Sequence, residues 1–341
     1  MAYYFRLPTI NQLTPPQQAA LNETEQIALS GGPGTGKSVV SLYRHLTNHN
    51  NGDKSLLLTF TKTLTKYLTG CCRLQNHEAA KYVRRACSGY PRSYEKFCEV
   101  IIDEAQDLGA NYYNNNISNF KVSYGADDSQ ILYPEHSSTE KELKERYPDN
   151  VDYILDKNFR STLAIMKFAK VAFPNALITQ NTLDALKGNP GEKPTLIVTN
   201  GNPIFDSKAK ETRNNAIQEI INTFRSETHN IAILLPLKNN VEIYHELLNE
   251  MEIGHSRYYD DDNKFPNGCP DIDNVHITTF KSAKGLEFDT VIIPDFGSMD
   301  YLISRFDVIE WKDFYVAVTR ARTNLYLFSN KEIPELSHVV D

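Results

Sequence analysis

The densest chemistry in this 341-residue chain lies in Gly31-Gly32-Pro33-Gly34-Thr35-Gly36-Lys37-Ser38. The run follows a short apolar stretch, 27–30, and precedes a helical pattern, 37–46. It fits GxxxxGK[ST] counted from Gly31. Glycines let backbone N–H groups turn toward phosphate oxygens, and the helix N-terminus adds a positive dipole end. Gly32, Gly34, Thr35 and Gly36 would form the cradle. Lys37 would reach the β- and γ-phosphates, and Ser38 would ligate Mg²⁺. A second acidic element is needed beside such a loop. Val100-Ile101-Ile102-Asp103-Glu104-Ala105-Gln106-Asp107 supplies it. An apolar strand would deliver Asp103 at its carboxyl end, where open α/β sheets bind ligands. Asp103 would face Mg²⁺, and Glu104 would orient and deprotonate an attacking water. ATP with Mg²⁺ is the substrate and cofactor pair that these residues imply.

Such groups need strands to hold them. Apolar runs at 27–30, 55–60, 99–102 and 121–124 read as strands of one block. Runs at 194–198, 230–235, 275–279, 290–294 and 324–328 form a second block. Helical patterns at 37–46, 162–173, 213–224 and 241–251 lie between them. This alternation predicts an α/β protein of two parallel-sheet units, 1–155 and 156–341, with the junction near Asp156. The acidic stretch 259–274, rich in Asp, Asn, Gly and Pro, reads as a surface loop.

Composition is that of an ordinary soluble protein, 40% hydrophobic and 23% charged. No apolar run approaches the roughly 18 residues of a membrane span. The start, MAYYFRLPTI, lacks a secretory layout. Five cysteines form no secreted disulfide framework. A cytoplasmic monomer with reduced thiols and no membrane partner is expected. Net charge is −7, yet 54–99 carries nine basic residues against three acidic ones, a local +6. Tyr67, Tyr82, Tyr90 and Tyr94 are interleaved. Either a phosphate backbone tracks this segment while rings stack on bases, or it is a solvated basic helical face.

Further motifs narrow the field. The run DEAQD at 103–107 resembles the second motif of superfamily-one helicases of the UvrD, Rep and PcrA type, and the other motifs of that family follow in its order over nearly the whole chain. The resemblance implies two RecA-like P-loop domains with ATP in the cleft between them. Leu13-Thr14-Pro15-Pro16-Gln17 is similar to the family's adenine-reading segment, which gives Gln17 the base edge. Thr59-Phe60-Thr61-Lys62 resembles the segment that touches single-stranded DNA, with Phe60 as stacking ring. The stretch 126–133, ending in Gln130, Ile131, Leu132 and Tyr133, resembles GDDDQSIY. There Gln130 would sense the γ-phosphate and Tyr133 would lie on the nucleic-acid side. Asn158-Phe159-Arg160-Ser161 resembles NYRS, so Phe159 would stack on adenine and Arg160 reach the γ-phosphate. The stretch 279–288 resembles TxHSAKGLEF. It places Lys281 at the nucleic acid, and Gly285 and Glu287 at the nucleotide, with Glu287 on the ribose. Tyr315-Val316-Ala317-Val318-Thr319-Arg320-Ala321 resembles YVAxTRA, with Arg320 as the arginine finger.

The chain also departs from that family. The gaps 63–98 and 162–275 are too short for the large accessory domains, which points to a compact form of the motor. Pro134-Glu135-His136 stands where the family has Trp and Arg. Lys281 replaces a His and Lys62 an Asn, each adding positive charge where a phosphate backbone would pass. Trp311 reads as a packing residue. Cys71, Cys72, His77, Cys87 and Cys98 contain no CxxC pair, which favours buried thiols over a metal site. The implied activity is an ATP-driven motor, a DNA helicase that translocates on single-stranded nucleic acid. The alternative is a regulatory ATPase switch acting on a partner such as a nuclease, with little unwinding.

Overall fold

The computed structural model describes every residue except 93, 132, 133, 158, 159 and 177. The chain forms two compact units, Phe5–Phe159 and Met1–Tyr4 with Arg160–Asp341. The first four residues, read from sequence with the first half, instead pair with the second unit. Ala2 bridges Asp273 in antiparallel fashion.

The first unit is a six-stranded sheet. Its strands are β1 (Ile27–Ser30), β2 (Ser55–Thr59), β3 (Val83–Arg85), β4 (Glu99–Asp103), β5 (Val122–Gly125) and β6 (Val151–Ile154). The order is β3-β2-β4-β5-β1-β6, and every pairing is parallel. Because side chains alternate across a strand, Leu56, Leu58, Val100 and Ile102 face one core. Leu57 and Ile101 face the other. Helices α1 (Pro15–Asn22), α2 (Lys37–Asn50) and α3 (Lys62–Gln75) belong to this unit.

The second unit repeats the plan with β7 (Thr195–Val198), β8 (Ile231–Leu235), β9 (Ser256–Tyr258), β10 (Val275–Thr279), β11 (Phe288–Ile293) and β12 (Ala321–Ser329). Their order is β7-β12-β11-β8-β10-β9, again parallel throughout. Ile217, Ile220 and Ile221 of one helix and Val241, Tyr244 and Leu248 of the next close one face of this sheet. Residues 259–274 form neither helix nor strand. No helix among the described residues is long and apolar enough to cross a membrane.

Strands β3, β6 and β9, which the sequence reading did not mark, all lie at sheet edges. An edge strand is covered on fewer sides, so it needs no continuous apolar run. Val151–Ile154, for example, alternates half-buried and exposed residues.

Candidate functional site

In the first unit, the carboxyl ends of β1, β4 and β5 gather the expected nucleotide residues. Strand β1 ends at Ser30, and α2 begins at Lys37 with Gly36 as a left-handed N-cap. The backbone has φ +137° at Gly31 and +89° at Gly36, a region that side chains rarely adopt. A Cβ on Gly31 would lie 2.1 Å from the Leu155 carbonyl oxygen, and one on Gly36 would lie 2.3 Å from Gln17 Nε2. The loop is thus closed tightly on neighbours that only glycine tolerates.

Gln17 holds this loop. Its Nε2 donates to the Thr35 carbonyl at 2.8 Å, and its Oε1 accepts from the Thr14 N–H at 2.8 Å. That capping box explains the Thr-Pro-Pro-Gln spacing. The residue expected on an adenine edge is therefore engaged with the loop itself and is only 3% exposed.

Lys37 is buried, and its ammonium donates to the carbonyls of Gly31 and Gly32. It lies 3.6 Å from Asp127 Oδ2. Asp127 also accepts from Gln130 Nε2 at 2.6 Å, from the Ser129 N–H at 3.0 Å and from the Ser129 hydroxyl. Asp103 ends β4 as a buried carboxylate. Gly125 ends β5 between them: a Cβ there would lie 3.4 Å from Lys37 Cβ, 3.7 Å from Asp103 Oδ1 and 3.8 Å from Ser41 Oγ. Glu104 follows in a left-handed conformation, φ 58° and ψ 46°. Its Oε2 accepts from Gln106 Nε2 at 2.5 Å, and Gln106 Oε1 accepts from the Asp127 N–H at 3.2 Å. One hydrogen-bonded set thus joins Glu104, Gln106, Asp127 and Gln130, and Lys37 is tied to it by the ion pair with Asp127. Ser38 stands half-buried in the first turn of α2. Sequence reasoning missed the roles of Gln106 and Asp127; only the residues of DEAQD and of the 126–133 motif themselves hinted at them.

Strand β4 is anchored from behind. Glu99, counted from sequence as opposing the basic segment, is buried and paired with Arg44 of α2 at 2.8 Å. It also accepts from Asn48 at 3.1 Å and from the Ser123 hydroxyl. Its charge is spent inside the unit and not on the surface.

The expected nucleic-acid residues divide. Thr59, with 0% exposure at the end of β2, offers no side-chain surface to a strand, which corrects the expectation for that residue. Phe60 packs half-buried against the core, and its carbonyl accepts from Arg85 Nε at 3.2 Å. Lys62 opens α3 behind the Thr61 cap. In the basic segment, Arg84 grips Glu95 through two bonds, 2.7 and 3.1 Å, and Lys81 pairs with Glu78. Tyr94 is 81% exposed. Cys71 and Cys72 are buried as expected, whereas Cys87 and Cys98 are exposed, so the buried-thiol reading fails for those two. Tyr133 and Phe159 lie outside the described residues.

In the second unit, Arg160 Nε donates to Glu287 Oε2 at 3.3 Å, and Arg322 donates to Glu287 Oε1. Burial alone would raise the Glu287 carboxyl, but Arg322 and Arg160 together hold it below the ordinary glutamate value. Arg322, two positions beyond the motif arginine, was not singled out from sequence. Gly285 has φ +84°, turning the chain between the 279–284 segment and Glu287. Lys281 is 4.0 Å from Asp313 Oδ1. Burial pushes the Asp313 carboxyl up to about 6 despite that lysine. Arg320 is 1% exposed and engaged within its own unit. It donates to the Val316 carbonyl at 3.0 Å, the Thr319 hydroxyl at 3.3 Å and the Leu286 carbonyl at 3.4 Å. Trp311 is half-buried, its ring centroid 6.3 Å from that of Tyr315.

Comparison with known proteins gives matches to parts of the chain. Residues 260–332 match the UvrD-like helicase C-terminal domain. The chain is 30% identical over 93 residues to the RecBCD enzyme subunit RecB of Chlamydia pneumoniae, which is 27% of this chain and 9% of that subunit. Among solved structures, the C-terminal domain of a possible DNA helicase from Lactobacillus plantarum WCFS1 is 23% identical. It covers 53% of this chain and 93% of that one, with a TM-score of 0.37. The arterivirus nonstructural protein 10 helicase is 15% identical, covering 98% and 66% at a TM-score of 0.44. The same viral helicase with DNA gives 14%, 97% and 67%, and again 0.44. Residues 260–332 are thus similar to the UvrD-like helicase C-terminal domain, consistent with the resemblance of the chain to superfamily-one helicases of the UvrD, Rep and PcrA type.

Proposed function

We propose that this chain hydrolyses ATP and uses the cycle to move along single-stranded nucleic acid, DNA being favoured, as a helicase-type motor. One observation carries the reading: Gln130, Asp127, Gln106 and Glu104 form a hydrogen-bonded set, with Lys37 ion-paired to Asp127, at the strand ends that also present Asp103.

The residues divide the work. The cradle 31–36 binds phosphate oxygens through N–H groups, and Gln17 fixes its shape. Lys37 exchanges its loop carbonyls for the β- and γ-phosphates. Ser38 and Asp103, a hydroxyl and a carboxylate at the mouth of the loop, suit Mg²⁺, which supplies positive charge against the phosphate oxygens when bound. Glu104, aimed by Gln106, takes the proton of the attacking water. Because Asp127 is shared by Lys37 and Gln130, a Lys37 that turns to phosphate alters the Gln130 contact, a physical route for sensing the γ-phosphate. Arg160, Glu287 and Arg320 contribute from the second unit, so turnover requires both. For Arg320 to act as a finger, its guanidinium must leave its bonds to Val316, Thr319 and Leu286 within that unit.

ATP turnover, with and without single-stranded DNA or RNA and at low and moderate salt, tests the reading. Stimulation that weakens as salt rises supports a motor, because phosphate contacts release counterions. Turnover indifferent to both strands, yet abolished in Glu104→Gln, overturns translocation. It would favour the second reading, a switch acting on a partner protein such as a nuclease. The pairing of Arg84 and Lys81 with Glu95 and Glu78 favours that alternative, since it spends charge that a nucleic acid would use.

A further inference from the structure

Asp313 places a carboxylate where the second unit does little to satisfy it. It lies in the first turn of the helix Trp311–Val318 and is 3% exposed. Its Oδ2 accepts from the Glu310 N–H at 2.8 Å, as part of a capping box. Among the described residues, Oδ1 has no hydrogen-bond partner. A buried carboxylate in that position is costly without a counter-charge. Lys281 Nζ supplies one from 4.0 Å, beyond hydrogen-bond reach.

Local packing sets these two groups opposite each other. Lys281 lies in the turn after β10. There the Ser282 N–H donates to the Thr279 hydroxyl at 3.2 Å, and the Ala283 N–H donates to the Thr279 carbonyl at 2.9 Å. The ring of Phe280, just before Lys281, meets the ring of Phe314, just after Asp313, at 4.9 Å between centroids. Both rings are buried, so the turn and the helix are held together at this point. The Lys281 side chain keeps 29% of its surface exposed, which leaves it open to an anion from solvent. A phosphate oxygen and the Asp313 carboxylate are therefore rivals for one ammonium.

We propose that Asp313 latches Lys281 and that a nucleic-acid phosphate displaces it, the Asp313 carboxylate taking a proton from solvent as the lysine leaves. Asp313 is a positioning residue that acts through Lys281. The latch depends on Lys281 being a nucleic-acid contact, as in the motor reading. The charged groups that face Asp313 among the described residues are Lys281 and Glu310. Burial raises its carboxyl to about 6; Lys281 and the Glu310 N–H lower it, and the Glu310 charge raises it. A phosphate that takes the lysine removes the stronger of the two lowering influences. The carboxyl then climbs further and binds a proton. Through this group, affinity for the strand falls as pH rises above 6, by up to about tenfold per pH unit. Well below that pH the carboxyl is protonated before the strand arrives, and this part of the dependence vanishes.

The test is binding of a rhodamine-labelled oligothymidylate to the full chain, without nucleotide, by fluorescence anisotropy from pH 5 to pH 8. Thymine has no group that titrates in this range. Histidines do, so the readout is the difference between wild type and variant at each pH. Asp313→Asn keeps an acceptor for the Glu310 N–H but carries no charge. It should bind severalfold tighter than wild type at pH 8, converge with it near pH 5, and show a shallower slope between. Lys281→Met should bind severalfold more weakly at pH 5 and lose the same part of the slope. The latch is overturned if Asp313→Asn keeps the wild-type affinity and slope, or if Lys281→Met binds as tightly as wild type at every pH. Should Asp313→Asn fail to fold, Lys281→Met decides, and a wild-type slope in that variant sinks the latch. Turnover measured alongside separates the two ideas. A wild type that binds the strand but hydrolyses no ATP loses the motor reading, while binding still decides the latch. A wild type that binds no strand at any pH sinks both.

Discussion

Glu104 is held in the left-handed region at φ 58°. For a residue other than glycine, such a conformation costs on the order of 1–3 kcal/mol and persists where its surroundings enforce it. Gln106 holds the Glu104 side chain and is fully buried between the Glu104 carboxylate and the Asp127 N–H. Glu104→Gln removes the base and should lower kcat by about 10²–10⁴-fold. Gln106→Leu keeps the carboxylate but releases its aim. It should lower kcat by roughly 10²-fold, with KM for ATP unchanged, because misplacement by an ångström is enough for such a loss. Steady-state kinetics on the two variants checks both, and a Gln106→Leu enzyme with wild-type kcat would refute the positioning role. The contiguous motifs made Lys37, Ser38, Asp103, Glu104 and Gln130 legible in the sequence, because strand–loop–helix chemistry compresses them into short runs. The bond from Gln106 to Asp127 crosses 21 residues and has no local signature. Thr59 shows the opposite failure: a motif names a segment, but burial at the end of β2 decides which of its side chains meet solvent.

At the scale of elements, apolar continuity marked the central strands and, of the four edge strands, only β7. Leu56–Leu58 and Val100–Ile102 are buried on both faces and stand out as runs. Val83-Arg84-Arg85 pairs along one side only and looks like helix surface or loop. The Arg44–Glu99 pair was equally invisible, since its partners are 55 residues apart. It ties α2, which carries Lys37, to β4, which carries Asp103. Breaking a buried pair strands a charge, so Arg44→Leu should destabilise the first unit by about 3–5 kcal/mol. The double variant Arg44→Leu with Glu99→Leu should recover much of that. Urea unfolding of the single and double variants measures both, and a single variant within about 0.5 kcal/mol of wild type would show that the pair is not what joins helix to strand.

For the whole molecule, acidification should act unequally on two separately cored units. In the first unit, His45 is fully buried, and burial lowers its pKa to about 4. In the second, burial lowers His276 to about 3. A directed chain adds to this: Arg257 donates to His245, His245 Nδ1 lies 2.7 Å from His255 Nε2, and His255 Nδ1 lies 2.7 Å from the Ile253 carbonyl. That chain is consistent only with neutral rings, since a proton on His245 Nε2 would face Arg257, and one on His255 Nε2 would face the His245 N–H. Glu242, Glu246 and Asp273 nearby favour protonation, but burial together with Arg257 and Arg225 outweighs them and lowers both histidines. The sign follows. A histidine whose folded pKa lies below its free value of 6.5 contributes its full stability above pH 6.5 and loses it as pH falls toward the folded pKa. His45 and His276 each remove about 1.4 kcal/mol per pH unit in that window, and His245 and His255 shift the second unit in the same direction. Asp313 of the second unit, raised to about 6, opposes this by binding a proton in the folded state below that pH, yet with three such histidines in the second unit against one in the first, the second should fail sooner. The sole tryptophan, Trp311, lies in the second unit and reports it alone, whereas circular dichroism reports both. Between pH 7 and pH 5, the urea midpoint seen by tryptophan fluorescence should therefore fall faster than the midpoint of the remaining dichroism change. Midpoints that shift in parallel would mean that the units unfold as one, and a flat response would mean that the histidines are not held neutral.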